Sequence, residues 1–513
     1  MGARHRVRHA GARHAQRQLL GGPRIPLPGH HRVRHRRRRQ FDHPAGPHRG
    51  LPGDLSLGDV RRRRLSAVFG HALPSGHHAR RRRGLRLPRG LQRQFLDRPR
   101  GPAAVRKSPE MRVVFMMLSV LALLGCGRKS AVDREALPTD PAIPAVEIVE
   151  SWPVETDLGL SDIPDAHEVW PAMIDGAMRT LEIAHFYISD SPGGRLEPVL
   201  AAIERAAARG VAVRLLVDEK FYAKYPASVD RFARGGKIQV RRLDLSARGG
   251  VMHAKYFIAD SQDTYLGSQN LDYRSLEHIH EVGVRVRSPE IAVAFCRLFE
   301  YDWAAAGGQK PPSTPPPLPA FPITVRVSGD EVRLMPAASP QDLLPPGLPW
   351  DLPLLLALLD SAAGQLDLEV LTYTIKTPAG QPWTLLDDAL RRAAGRGVRV
   401  RLLVSEWALR DAAGKRSDGA EALSALARVP GVSVRVLVIP TSAKGEIPFA
   451  RVAHAKYLVV DGARAWVGTS NWESRYFTAS RNVALFLEGR AVAGPLARIF
   501  EHAWSGACAK PLQ

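Results

Sequence analysis

His253-Ala254-Lys255, followed by Asp260, Gly267, Ser268 and Asn270, recurs as His454-Ala455-Lys456, Asp461, Gly468, Thr469 and Asn471, with every position displaced by 201 residues. An isolated His-x-Lys carries little information, because two residues at that spacing arise by chance. A pattern held in register twice marks two copies of one half-site. Imidazole is a competent nucleophile and, near neutral pH, a competent acid. Two histidines brought together can therefore divide a displacement at phosphorus. One would attack to give a phosphohistidine and the other would protonate the departing alkoxide; water or an alcohol would then reverse the sequence. Lys255 and Lys456 stand two residues from each histidine, on the same face of an extended chain. Their ammonium groups would offset charge on the phosphate oxygens as the five-coordinate state forms. Asn270 and Asn471 would donate amide hydrogens to the same oxygens, with the Ser268 and Thr469 hydroxyls close by. With its cations built in, the scheme requires no metal and no cofactor.

The elements that must position these residues are also duplicated. Leu181 to Ile188 is a strand-like run, and Leu196, Val199, Leu200, Ile203 and Ala207 mark one face of a helix. Gly210 then reads as a helix stop before the strand Val211 to Val217. The second copy repeats this as Leu366 to Tyr373, a helix through Leu386, Leu390 and Ala393, Gly397, and the strand Val398 to Val404. Tyr256–Ala259 and Thr264–Leu266 are short apolar runs separated by a polar turn, as in a hairpin. Each copy ends alike, Phe299-Glu300 with Trp303 matching Phe500-Glu501 with Trp504. Strands alternating with helices predict an α/β fold of two duplicated sandwich lobes, 146–305 and 323–510. Between them, 306–322 is a proline-rich connector that can form neither helix nor central strand.

The spacing H-x-K-x4-D-x6-G-[ST]-x-N resembles the signature of the phospholipase D superfamily, and both copies match it in full. The resemblance covers nearly all of the chain after the first quarter. It is closest to the branch of animal lysosomal members and the poxvirus envelope phospholipase, through Trp383 to Trp407, Ile447 to Arg451, Gly267 to Ser275 and Gly468 to Phe477. It implies a phospholipase D-like fold with the active site at the pseudo-twofold interface, His253 as nucleophile and His454 as general acid. The residues alone give no direction, because the repeat is nearly symmetric. One asymmetry stands 28 positions after each histidine, Glu281 in the first copy and Asn482 in the second. A carboxylate there resembles the residue family members use to orient a catalytic imidazole; Asn would hold geometry but not charge.

Other polar residues have plainer readings. Asp260 and Asp461 are expected to hold the strand and turn, and Gly267 and Gly468 to shape the backbone. His185 lies in an apolar run and reads as a core or cleft residue, whereas His278 and His280, flanking Glu281, read as surface. Cys296 reads as a core residue; a bridge to Cys508 is allowed in an oxidising envelope but not required.

The formal charge of +23 over 513 residues suggests a nucleic-acid or anionic-membrane partner. Its location removes that inference. Residues 1–110 hold 28 Lys+Arg against 5 Asp+Glu, while 111–513 hold 45 of each. The first segment is Arg-rich with no apolar period; it reads as a disordered basic arm or, preferably, as translated upstream sequence, and is too long and Ser-poor for a transit peptide. Met111-Arg112, the apolar run Val113 to Leu124 and Leu123-Leu124-Gly125-Cys126 then have the layout of a signal peptide over 111–125 that resembles the bacterial lipobox. These twelve residues, interrupted only by Ser119, span roughly 18 Å, short of a ~30 Å bilayer core. Lipidation of Cys126 is expected, with 126–145 as a tether holding a lipoprotein at the bacterial cell envelope. Three substrate readings follow: a phospholipid, favoured by the anchor; the end of a single-stranded nucleic acid; and a non-catalytic binding role, which conflicts with two complete motifs.

Overall fold

A computed structural model describes residues 144–512 apart from 312–314 and 412–413. The expectations for 1–110, for the signal segment, for Cys126 and for nearly all of the tether lie outside the described residues.

The first lobe is built on a seven-stranded sheet. Its strands are β1 (Val146–Ser151), β2 (Thr180–His185), β4 (Ala212–Asp218), β5 (Ile238–Leu243), β6 (Lys255–Ala259), β7 (Asp263–Gly267) and β9 (Glu281–Arg287). Two-residue strands β3 (Ile188–Ser189) and β8 (Leu271–Asp272) pair apart from it. The order is β1-β9-β7-β6-β2-β4-β5, antiparallel from β1 to β2 and parallel from β2 to β5. The helix Leu196–Ala208 supplies the crossover between β2 and β4, and its apolar stripe (Leu196, Val199, Leu200, Ile203) is buried against the sheet.

The second lobe repeats this order. Its strands are β10 (Ile323–Val327), β11 (Asp330–Ser339), β12 (Gln365–Val370), β13 (Arg399–Ser405), β14 (Val432–Leu437), β15 (Tyr457–Val460), β16 (Arg464–Gly468), β17 (Asn482–Glu488) and β18 (Ala509–Pro511). They run β10-β11-β17-β16-β15-β12-β13-β14-β18, so the copied seven strands gain one extra strand at each edge.

The hairpin β6–β7 sits inside the first sheet, Tyr256 opposite Leu266. Alternation divides its side chains: Tyr256 and Ile258 enter a core shared by both lobes, while Phe257 and Ala259 enter the first lobe's own core. The shared core also takes Phe295 and Phe299 from the helix Pro289–Ala306 and Ile499 and Phe500 from the helix Arg490–Ser505. The first of these helices starts on the Ser288 cap with Pro289 at its opening turn. Phe299 stacks on Trp303 at 5.5 Å and Phe500 on Trp504 at 5.6 Å. Arg214 covers the first pair and Arg401 the second, each also bonded to the neighbouring Glu300 or Glu501. The duplication thus extends to individual side chains, and a continuous apolar core joins the lobes. No helix among the described residues is long and apolar enough to cross a membrane.

Candidate active site

Each motif begins just before an interior strand. Asp260 follows β6 in a left-handed turn at φ 55°, and its carboxylate accepts from the backbone N–H groups of Met178, Arg179 and Thr180 at 2.9, 2.6 and 2.9 Å. Asp461 does the same for Ala363, Gly364 and Gln365 at 3.1, 2.8 and 2.9 Å. Both aspartates tie the hairpin turn to the loop feeding the adjacent strand, the structural role expected of them. Gly267 is required by close approach, since a Cβ there would lie 2.6 Å from the Gly283 Cα.

The segments ahead of the two strands pair their backbones across the lobe interface. Met252 pairs with Arg481 and Ala453 with His280. The His253 N–H donates to the Arg481 carbonyl at 2.9 Å, and the His454 N–H to the His280 carbonyl at 2.8 Å. These bonds are equivalent under the 201-residue offset, so the interface carries a pseudo-twofold axis. Each histidine is therefore backed by a residue of the opposite lobe. His253 Nδ1 lies 3.0 Å from Asn482 Oδ1, and His454 Nδ1 lies 2.8 Å from Glu281 Oε2.

The orientation of the Asn482 amide is fixed by its surroundings. Its Nδ2 donates to the Tyr476 and Ser480 carbonyls at 2.7 and 3.4 Å, which turns Oδ1 toward His253. The His253 proton is then on Nδ1, and Nε2 carries the free lone pair. Behind His454, Glu281 Oε1 accepts from the Ser275 hydroxyl at 2.7 Å, leaving Oε2 for the imidazole.

Charge converges on the same place. Lys255 and Lys456 are fully buried, each donating to the carbonyl of its own motif histidine. Burial, and then the charge of Lys456, pushes the Lys255 ammonium well below its usual range; burial brings Lys456 down to about 7 against the pull of Glu281. Burial and then the two lysines push both imidazoles well below 6.5. Burial raises Glu281 to about 7, opposed by Lys456. These groups sense one another across the interface, so the two motifs form one site. It holds neutral imidazoles beside buried cations, and a phosphodiester brings the negative charge that offsets them.

The Ser268 and Thr469 hydroxyls, expected close to the phosphate, bond to the residues that back the histidines. Thr469 Oγ1 donates to Asn482 Oδ1 at 2.9 Å and accepts from the Val483 N–H, while Ser268 Oγ accepts from the Val282 N–H and lies beside Glu281. They hold the groups that hold the histidines. Asn270 and Asn471 are buried in the segments following β7 and β16. His185 is fully buried and brought to about 3 by that burial, as a core residue.

A family model described as "Cardiolipin synthase, PLD-like domain" matches residues 171–303 and 355–504, which together contain both motifs and both backing residues. The chain belongs to the phospholipase D superfamily. It is a phosphodiesterase of that superfamily, built from a duplicated domain. Similarity to other members is extensive. The chain is 32% identical over 370 residues to the 5'-3' exonuclease PLD3 of Bos taurus, covering 66% of this chain and 74% of that protein. It is 27% identical over 434 residues to Phospholipase D Z of Dictyostelium discoideum, covering 78% and 99%. It is 30% identical over 355 residues to the virion nicking-joining enzyme of Vaccinia virus (strain Western Reserve), covering 66% and 82%.

Three sequence expectations are corrected within this superfamily site. His278 and His280, read as surface, are both buried. His280 is enclosed between carboxylates of both lobes, its Nδ1 2.8 Å from Glu369 and its Nε2 3.0 Å from Glu150. The offset places Arg481 opposite it, bidentate to the buried Asp302. No local signal marked His280 or Arg481, because their partners come from elements distant in sequence. Cys296 is only half buried and packs at the margin of the core, whereas Cys508 is buried; both thiols are free.

Proposed function

We propose that this protein removes terminal nucleotides from single-stranded nucleic acid through a phosphohistidine on His253. The observation that carries the chemistry is the unequal backing of the two histidines, a neutral amide behind His253 and a carboxylate behind His454. Nε2 of His253 attacks phosphorus and the bond to the leaving oxygen breaks, while His454 gives that oxygen its proton. Water then attacks the phosphohistidine and returns a proton to His454, the P–N bond breaks, and the phosphate product leaves. Lys255, Lys456, Asn270 and Asn471 hold the phosphoryl oxygens. Glu281 stabilises the imidazolium at His454; Asn482 keeps His253 neutral.

Two features favour a nucleic-acid substrate. One is the similarity to an exonuclease and to a nicking-joining enzyme. The other is a row of aromatic rings leading away from His253. Phe186 lies 4.8 Å from it and 3.9 Å from Phe221; Phe221 and Tyr225 both stack on Tyr187. Lys224 lies over Tyr225 and over the exposed Phe449. Rings interleaved with cations suit unstacked bases and their phosphates. A second reading, transfer or hydrolysis of a phospholipid head group, is favoured by the lipobox-like segment ending at Cys126 and by the full-length similarity to Phospholipase D Z. In either case we infer an envelope lipoprotein.

The test offers protein from Cys126 onward, wild type and His253→Ala, end-labelled oligonucleotides and phospholipid vesicles side by side in EDTA. Release of labelled mononucleotide is expected from the wild type and is lost in the variant, and quenching in alkaline denaturant should trap the phosphoryl group on His253. Activity on vesicles alone overturns the nucleic-acid reading, and abolition by EDTA contradicts the metal-free scheme.

A further inference from the structure

The pseudo-twofold axis should give the site two equivalent flanks, yet the two differ. Beside His454, Ile279, Leu371 and Val452 form a small buried apolar cluster. The arginine of that flank, Arg274, is buried and tied bidentately to Asp272. Under the repeat, the counterparts of Ile279, Leu371 and Val452 are Ser480, Phe186 and Val251, and that of Arg274 is Arg475. On this second flank the same positions line an open cleft of about 340 Å³.

Three differences open it. Ser480 is smaller and more polar than Ile279. Arg475 is exposed, with its Nε 3.5 Å from Glu473, where Arg274 is buried and bidentate to Asp272. Gly249 and Gly250 replace Ala450 and Arg451, removing side chains from the wall. Gly250 is also obligatory, since a Cβ there would lie 2.2 Å from the Ala479 carbonyl oxygen of the other lobe. The cleft abuts the reactive centre: Phe186 and Tyr476, two of its walls, meet the His253 ring edge-on at 4.8 and 4.9 Å. Phe221 supplies a further ring, and Lys220 and Arg475 supply cations. Lys220 is exposed and has no ion pair among the described residues.

Resting on the nucleic-acid reading above, we propose that this cleft is the subsite for a nucleoside joined to the scissile phosphate. The base lies against Phe221, and the next phosphate meets Lys220 and Arg475. The plug beside His454 denies the chain an equivalent path on the other flank. Substrate therefore extends from the site in one direction only, and the enzyme cuts ends rather than interiors.

The experiment compares kcat/KM for a single-stranded oligonucleotide carrying either a normal or an abasic nucleotide next to the scissile phosphate. One base–aromatic stack predicts about a 10-fold preference for the normal substrate in the wild type. In Phe221→Leu, which keeps apolar bulk but removes the ring, the preference should shrink to within about twofold. The double variant Lys220→Gln, Arg475→Gln alters exposed side chains only, and tests the subsite even if Phe221→Leu misfolds. It should flatten the dependence of log(kcat/KM) on log salt by about 0.7 for each phosphate that the protein no longer neutralises. Circular single-stranded DNA should resist cleavage. An undiminished base preference in Phe221→Leu or an unchanged salt slope in the double variant would overturn the subsite while leaving the exonuclease reading intact; cleavage of the circle would overturn the one-way path and the exonuclease reading together. A wild type that hydrolyses phosphatidylcholine vesicles and no oligonucleotide overturns the reading itself.

Discussion

His253 and His454 share their neighbours in sequence but not what stands behind them, and this difference makes their protonation separable. Burial raises Glu281 to about 7, while burial and the two lysines push the His454 imidazole well below 6.5, so this hydrogen-bonded pair holds a proton for the leaving group only below about pH 7. Lys456, brought down to about 7 by burial, loses its charge over the same range and with it part of its hold on the phosphate. The rate should therefore fall as pH rises through about 7. Glu281→Gln should flatten that fall and lower kcat by about 10²-fold, the lower end of what positioned proton transfer contributes. A pH–rate profile of the variant identical in shape to the wild type's would sink this assignment. Thr469 and Ser268 belong to the same account, because motif hydroxyls that hold the acceptors explain why both copies keep a hydroxyl where one holds an amide and the other a carboxylate.

The segments carrying the histidines are held from across the interface, by His280 on one side and Arg481 on the other. Arg481 is permanently charged, whereas His280 owes its charge to Glu369 and Glu150, which lift it to about 10 against burial. Its ordinary value is 6.5, so the stabilisation is fully present below that pH and is lost as pH climbs through about 10. His280→Gln leaves two buried carboxylates without a cation, a change that costs about 3–5 kcal/mol in comparable buried pairs. Denaturant unfolding at pH 7 should show that loss, and the gap from wild type should narrow above pH 10. A gap that is constant with pH would mean that packing, not charge, is what His280 supplies.

Neither lobe is a complete enzyme, since each contributes one histidine and the acceptor for the other lobe's histidine. The shared core of Tyr256, Phe295, Phe299 and Phe500 holds them together, so the proline-rich connector need only join them. Residues 111–513 carry equal numbers of basic and acidic side chains, which directs attention from bulk charge to local cations such as Lys220 and Arg475. If Cys126 anchors the chain, Cys126→Ser should move the protein from the membrane to the soluble fraction with its catalytic constants unchanged. Retention of that variant on membranes would remove the lipoprotein reading. N-terminal analysis of the same preparation would show whether residues 1–110 precede the signal segment.

The sequence by itself determined the bond to be broken, the pair of histidines, the duplication and the strand–helix order. Each of these is written in spacing or period along one stretch of chain, as in the H-x-K-x4-D run or the stripe Leu196, Val199, Leu200, Ile203. It also marked Glu281 and Asn482 as the point of asymmetry, without showing that each serves the opposite lobe's histidine. Tertiary structure alone decided that exchange, the burial of His278 and His280, and the bonds that tie Ser268 and Thr469 to Glu281 and Asn482. It alone made one flank a plug and the other a cleft. The physical reason is common to all of these. An acceptor 173 or 229 residues away from its histidine, or a cavity filled by Ile279 in one copy and left open by Ser480 in the other, depends on what packs across the interface, and no local pattern records that.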